Sequence, residues 1–210
     1  MKIIQKIVDL WMGGQTTFYA SWGEAHLNRG ELESAIDAYS RALKANPHDV
    51  DLLLHRGRAR YRAGDLDGAG ADFTEALAID RRCAAAYANR SLISIDHGDH
   101  DEALADLNMA IYLDPRQPLA YNNRGLVNDT LGNEIGAIAD YTQAIRLCPS
   151  NPSIDVAYSN RGCARAKRGD LRGAIADYQR YLAMGGGQRH GDQREIETII
   201  DGYRRLIQSN

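Results

Sequence analysis

Apolar and small residues return along this chain with the 3.6-residue period of helices, in pairs of segments separated by short polar turns. The clearest example is PLAYNNRGLVNDTLGNEIGAIADYTQAIRLCP, residues 118–149. Tyr121, Gly125 and Val127 mark a first helical face, and Ala137, Tyr141 and Ala144 mark a second. Leu131-Gly132-Asn133 forms the turn between them, and Pro149 stops the second helix. Two further periodic segments flank the paired ones. Residues 2–12 place Ile3, Ile4, Ile7, Val8 and Trp11 on one side of a helix that Gly13-Gly14 is expected to end. Residues 192–208 place Ile196, Ile199, Ile200, Tyr203, Leu206 and Ile207 on one face of a last helix, with Arg194, Glu197, Arg204 and Arg205 on its polar side. Gly185-Gly186-Gly187 reads as a flexible break before that helix, and no Gly-Lys-Ser/Thr follows to make it a phosphate loop.

The paired segments repeat with a fixed spacing. A small residue inside each first helix falls at Gly23, Gly57, Ser91, Gly125 and Gly162, 34 residues apart three times and then 37. The longer step reflects an insertion at Asn151-Pro152-Ser153. Turn glycines keep pace at Gly30, Gly64, Gly98, Gly132 and Gly169. The second helices carry Ala35, Ala69, Ala103, Ala137 and Ala174, followed by Tyr39, Phe73, Leu107, Tyr141 and Tyr178. Small residues where two helices cross let their axes approach to about 8–10 Å, with bulky neighbours filling the grooves. A single helical pair cannot bury its own apolar face, so neighbouring pairs must stack to complete the core.

This period and these positions resemble the tetratricopeptide repeat family, whose units are two antiparallel helices. The resemblance covers five units, residues 16–49, 50–83, 84–117, 118–151 and 155–188, within an overall span of 16–188. It implies an all-α fold, an α–α superhelix forming an open right-handed solenoid with flanking helices. Residues 1–15 then form an N-terminal amphipathic helix and residues 189–210 a C-terminal capping helix. The fifth unit departs from the others by carrying Tyr181 where they have Ala42, Ala76, Ala110 and Ala144. A ring at that place predicts that the next element is not another standard repeat. The N-terminal helix has three readings: a cap on the first repeat, a self-association surface, or a membrane-surface anchor.

A charge pair is written into the repeat. Arg56, Arg90, Arg124 and Arg161 precede the first-helix small residue, and Asp72, Asp106, Asp140 and Asp177 precede the second-helix bulky one. The first unit lacks both, with Trp22 and Ala38 in these places. Joint presence and joint absence predict structural ion pairs, each Arg meeting the Asp of its own unit, in the bidentate geometry that a guanidinium favours.

In the family the first helices line a concave groove, and this implies a peptide-binding surface here. Asn89, Asn123 and Asn160 occupy matching places, and an amide both donates and accepts. They either grip an extended peptide backbone or bond to neighbouring helices. One turn on, Leu92, Leu126 and Cys163 form an apolar strip, extended by Ile95 and Tyr61. Arg58 and Arg62, with His55 nearby, make one end cationic. The implied partner is a protein or peptide with an acidic or phosphorylated end and an apolar middle. The carboxylate clamp that some family members use for chaperone tails is incomplete. Asn89 matches its middle position, but Leu119 and Asn123 replace one basic pair, and Leu54 and Arg58 replace lysine and asparagine. Three residues after the small first-helix residue, where the family often has an aromatic, this chain has His26, Arg60, Ser94, Asn128 and Arg165. Either the groove is wetter than usual or these side chains bend out to solvent.

Composition narrows the alternatives. A formal net charge of -3 gives no bulk attraction to nucleic acid. Cys83, Cys148 and Cys163 are scattered and odd in number, which predicts free thiols in a reducing compartment and a cytoplasmic location. No apolar run approaches a membrane span, and the first dozen residues, MKIIQKIVDLWM, lack the pattern of a secretory signal. His26, His48, His55, His97, His100 and His190 show no helical metal-ligand spacing. No catalytic residue, cofactor or metal is expected, and the chain reads as a non-enzymatic adaptor. The alternatives are an assembly or anchoring protein acting through its first helix, and a peptide-sensing regulatory domain.

Overall fold

A computed structural model describes residues 2–149 and 154–209, with side chains from residue 13 onward. The inserted residues Asn151, Pro152 and Ser153, and the side chains of Ile3, Ile4, Ile7, Val8 and Trp11, lie outside what it describes. Every regular element among the described residues is a helix. The chain divides into two compact units, Met1–Leu113 and Asp114–Asn210.

The first unit contains α1 (Lys2–Asn28), α2 (Leu32–Ala45), α3 (Val50–Ala63), α4 (Leu66–Ile79), α5 (Ala84–His97) and α6 (His100–Leu113). The pairs α1–α2, α3–α4 and α5–α6 are hairpins, and α2 packs on α3 as α4 packs on α5. The second unit contains α7 (Pro118–Thr130), α8 (Glu134–Leu147), α9 (Asp155–Lys167), α10 (Leu171–Ala183), α11 (Gly186–His190) and α12 (Gln193–Ser209). Here α7–α8 and α9–α10 are the hairpins, α8 packs on α9, and α11 and α12 close against α10. Thus within each unit the second helix of a hairpin, α2, α4 or α8, also serves as the floor for the first helix of the next.

The turns end where the backbone must turn left-handed. Gly64, at φ 86°, ends α3, and Asp65 then starts α4 by accepting the Gly68 N–H at 2.9 Å. Asp170 does the same for α10 through Gly173, and Asn133 for α8 through Gly136.

Inside each hairpin the small first-helix residue lies under the bulky second-helix one. A Cβ on Gly125 would sit 2.7 Å from the Tyr141 ring, which is only 1 % exposed. Gly23 meets Tyr39 and Gly57 meets Phe73 in the same way. In the third repeat both partners change together. Ser91 replaces glycine, donates its hydroxyl to Ala88 O at 2.8 Å, and the opposing residue is the smaller Leu107.

The arginines and aspartates meet within each repeat. Arg124 donates to Asp140 through Nε at 3.0 Å and Nη2 at 2.7 Å. Arg161 meets Asp177 at 2.9 and 2.7 Å, and Arg90 meets Asp106 at 2.8 Å through both nitrogens. Arg56 holds Asp72 at 2.6 Å. Three of the arginines also lie over a tyrosine one turn earlier, Arg90 on Tyr87, Arg124 on Tyr121 and Arg161 on Tyr158, with centroid distances of 5.6–5.8 Å. The hydrogen bond to Asp140 raises Arg124 above the usual guanidinium range against the opposing effect of burial.

Three expectations need correction. Gly13 and Gly14 do not end the first helix, because α1 runs unbroken from residue 2 to residue 28. The N-terminal segment expected at 1–15 is therefore continuous with the first repeat. A glycine costs a helix only about 1 kcal/mol, too little to break one on its own. The second correction concerns Gly185-Gly186-Gly187, which is no flexible break. Gly185 takes φ 78° to start α11, while Gly186 and Gly187 are buried, Gly186 directly against the Tyr181 ring. Tyr181 is 1 % exposed and donates its hydroxyl to Asp192 at 2.8 Å, fixing the approach to α12.

The third concerns the polar residues three places after the small one. Arg60, Asn128 and Arg165 point neither into a wet groove nor out to solvent, but along the hairpin toward the buried aspartate. Arg60 Nη1 reaches Asp72 at 2.9 Å and Gly68 O at 3.2 Å. Arg165 Nη1 reaches Asp177 at 2.8 Å and Gly173 O at 3.4 Å. Asn128 donates to Asp140 at 3.0 Å. In the first repeat, which has no such aspartate, His26 pairs with Glu31.

This packing sets the cost of substitutions. Gly125→Ala overpacks a buried ring, which costs about 1–3 kcal/mol, offset by about 1 kcal/mol of helix propensity. Urea unfolding should show a net loss. At Gly162 the added Cβ meets its neighbours at 3.3 Å, so Gly162→Ala should be close to neutral in the same assay. Asp177→Ala strands two guanidinium groups over a site 4 % exposed and should cost about 2–4 kcal/mol. Asp37→Ala, which removes the exposed partner of Arg41, should leave the urea midpoint essentially unchanged, because water screens that pair.

Candidate functional site

The surface that the repeats leave uncovered is formed by first helices lying side by side. In the first unit α3 touches α5, and in the second α7 touches α9. Each first helix buries its small residue and flanking apolar positions against its own second helix, which leaves its remaining face uncovered by that helix.

In the second unit this face carries Asn123 and Leu126 on α7 and Asn160 and Cys163 on α9. Asn160 Nδ2 approaches Asn122 Oδ1 at 3.4 Å, and Asn122 Nδ2 approaches Asn123 Oδ1 at 3.5 Å. These are long, weak bonds. One end of the Asn160 amide is thus directed at the neighbouring helix, and Asn122, which is buried, relays it to Asn123. Leu126 is 40 % exposed and Leu119 56 %, an apolar area beside the amides. Cys163 is exposed and unpaired.

In the first unit Arg58 and Arg62 of α3 are exposed, while Tyr61, Asn89 and Leu92 are half-buried. The Tyr61 phenol of α3 and the Asp96 carboxylate of α5 lie close enough to interact across the face. Burial first, and then the Asp96 carboxylate, push the Tyr61 phenol above its usual value. His55 does not join the arginines. It stacks on Tyr39 with ring centroids 5.5 Å apart, facing α2 of the preceding hairpin.

Sequence reasoning passed over three residues of this face. Asp96 is one. Lys167 and Asp129 are the others, joined at 2.7 Å between α9 and α7, with the second oxygen of Asp129 buried and unpartnered. The hydrogen bond to Asp129 raises the Lys167 ammonium above its usual value. Tyr61 and Asp129 occupy one repeat position and Asp96 and Lys167 the next, and this offset across adjacent first helices was the signal that could have found them. Among the described residues no group of three potential ligands is placed to hold a metal ion, and no helix is long and apolar enough to cross a membrane.

Comparison with known proteins places this architecture. Two family profiles described as tetratricopeptide repeat match residues 21–86 and 91–159. The chain belongs to the tetratricopeptide repeat family. Members of this family mediate protein–protein interactions and are typically non-catalytic scaffolds. Solved structures of similar fold include a MamA protein, at 27 % identity and a TM-score of 0.65, covering 85 % of this chain and 96 % of that one. PilF of Pseudomonas aeruginosa is 21 % identical with a TM-score of 0.75, covering 94 % and 92 %. A thermophilic tetratricopeptide repeat protein of Thermus thermophilus is 23 % identical with a TM-score of 0.69, covering 90 % and 98 %. No curated protein matches the sequence significantly. The fold class is the all-α, α–α superhelix of these tetratricopeptide repeat structures.

The Tyr61–Asp96 link is open to a titration test. The Tyr61 phenol should ionise above about pH 10, and Asp96→Ala should lower its midpoint only in part, since burial is the larger cause. Because the folded value is raised, this phenol's contribution to stability is complete below about pH 10 and is lost as pH climbs through the folded value. Tyrosine-resolved NMR titration of the wild type and the variant reads both effects.

Proposed function

We propose that the protein is a non-enzymatic adaptor that holds a peptide or protein segment of its partner against the open face of its first helices, in the cytoplasm. The observation that carries this reading is the juxtaposition on α7 and α9 of amides with unsatisfied capacity and an exposed leucine. The Asn122, Asn123 and Asn160 amides contact one another only through long bonds, and Leu126 stands beside them. Amides of this kind suit a peptide backbone, which offers both donors and acceptors, and an apolar ledge suits a side chain. In the first unit, Asn89, Leu92 and Tyr61 offer similar chemistry, and the exposed Arg58 and Arg62 favour an acidic group on the ligand. Free thiols, one of them exposed on Cys163, suit a reducing compartment.

A second reading, assembly or anchoring through α1, draws on Phe18 at 63 % and Trp22 at 41 % exposure, whose rings lie 6.0 Å apart. Such a pair is large and apolar enough to seat against another surface.

The experiment is capture of the partner with the full chain, identification of the bound segment, and titration of that purified segment. Asn123→Ala with Asn160→Ala should weaken binding roughly tenfold, since each lost hydrogen bond is worth about 0.5–1.5 kcal/mol net, with thermal stability nearly unchanged. Unchanged affinity removes these amides from the site. If Phe18→Ala with Trp22→Ala instead changes oligomer size or vesicle binding while leaving partner affinity intact, the assembly reading gains at the adaptor's expense.

A further inference from the structure

The second arm that reaches each buried aspartate is missing from one repeat. In the second and fifth repeats an arginine, Arg60 or Arg165, extends from the first helix to three acceptors. They are the buried aspartate, the carbonyl of a glycine in the second helix, and the aspartate at that helix's start. For Arg60 these are Asp72, Gly68 O and Asp65; for Arg165 they are Asp177, Gly173 O and Asp170. In the fourth repeat Asn128 spans the corresponding gap between Asp140 and Asn133. In the third repeat the equivalent residue is Ser94, which is too short.

The acceptors of the third repeat are all present. Asp106 corresponds to Asp72, Asp99 to Asp65, and Glu102 to Gly68. Together with Ser94 and His97 they line a cleft of about 530 Å³ bounded by α4, α5 and α6. Asp106 is 7 % exposed and is held on one side only, by Arg90. Ser94, 8 % exposed, lines the cleft at the place from which Arg60, Asn128 and Arg165 extend their second arm in the other repeats. The cleft therefore holds three carboxylates, Asp99, Glu102 and Asp106, against one guanidinium already paired.

We propose that this cleft is a receptor for an arginine side chain presented by a partner protein. The protein itself supplies the template. The hydrogen bonds that Arg60 and Arg165 make from within their own repeats define how a guanidinium enters, lying along the hairpin and donating to the buried carboxylate. A planar fork of five donors satisfies two carboxylate groups and a carbonyl together, which a point-charged ammonium does less well. The cleft lies on a different face of α5 from Asn89 and Leu92, since residues 90, 93, 94 and 97 are set off from 89 and 92 by the helical rotation. This site is accordingly independent of the peptide-binding surface proposed above.

The test uses the full chain labelled with nitrogen-15 and titrated with N-acetyl-arginine amide, N-acetyl-citrulline amide and N-acetyl-lysine amide. Arginine amide should give saturable shifts at the backbone amides of Ser94, Glu102 and Asp106. Citrulline amide, isosteric but uncharged, should bind at least tenfold more weakly, and lysine amide should bind more weakly than arginine amide. Ser94→Arg should place an internal guanidinium in the cleft, abolish these shifts and raise the melting temperature. The paired variant Asn123→Ala with Asn160→Ala should leave them unchanged. The proposal is overturned by an absence of saturable shifts in the wild type. Equal binding of citrulline or lysine amide, or full retention of arginine binding by Ser94→Arg, overturns it as well.

Discussion

A carboxylate enclosed between two helices has to be neutralised where it sits, because removing it from water without a partner costs more than a hairpin of this size can spare. Asp72, Asp106, Asp140 and Asp177 are enclosed in this way, and each hairpin is arranged around its answer. The neutralising arginine comes from the facing helix, grips both carboxylate oxygens, and in three repeats lies over a tyrosine ring. That geometry fixes the rotation of one helix against the other. It also explains why the adjacent crossing needs glycine or serine, since the pair and the ring beside it draw the backbones close. Each such pair specifies alignment more than it adds net stability, because attraction and desolvation largely offset one another.

The same constraint divides each first helix into two working faces. The inner face is committed to its own hairpin: the small residue, the arginine, and the polar side chain that comes as a second hand to the aspartate. What remains outward is free to vary without loss of the fold. Asparagines, exposed leucines and charged pairs such as Lys167–Asp129 occupy that outward face, and the adaptor reading rests on them. The repeats differ in how completely the inner face is filled. An arginine closes the second and fifth, an amide closes the fourth, and Ser94 leaves the third open. Variation inside a repeated frame is thus able to create a site without a new element of structure.

The C-terminal end shows how a repeat is brought to a stop. Tyr181 takes the place of a small alanine, and Gly186 makes room for its ring. Its hydroxyl then fastens Asp192 ahead of α12, while Arg189 holds the buried Asp155 at 2.6 Å from the short helix α11. A sixth hairpin could not dock in the usual way over such a ring, so a single amphipathic helix covers the apolar surface with Ile196 and Ile200.

Much of this was legible in the residues alone. The period of 34, the small and bulky positions, the turn glycines and the joint occurrence of Arg with Asp are local or strictly repeated signals, and repetition makes a pairing visible without a contact map. The special character of Tyr181 followed from the same register. Other features had no such signal. Nothing in Gly13-Gly14 reveals that a helix passes through it, because one or two glycines weaken a helix without ending it. The direction taken by Arg60, Asn128 and Arg165 depended on where an open carboxylate lay across the hairpin, and a long side chain goes to its acceptor whatever face its Cα occupies. Sequence set the order and pairing of helices, since these depend on periodicity. Only the tertiary structure decided which polar groups were already satisfied and which, as at Asp106 with its single arginine, were left with capacity to spare, since that depends on distance in three dimensions.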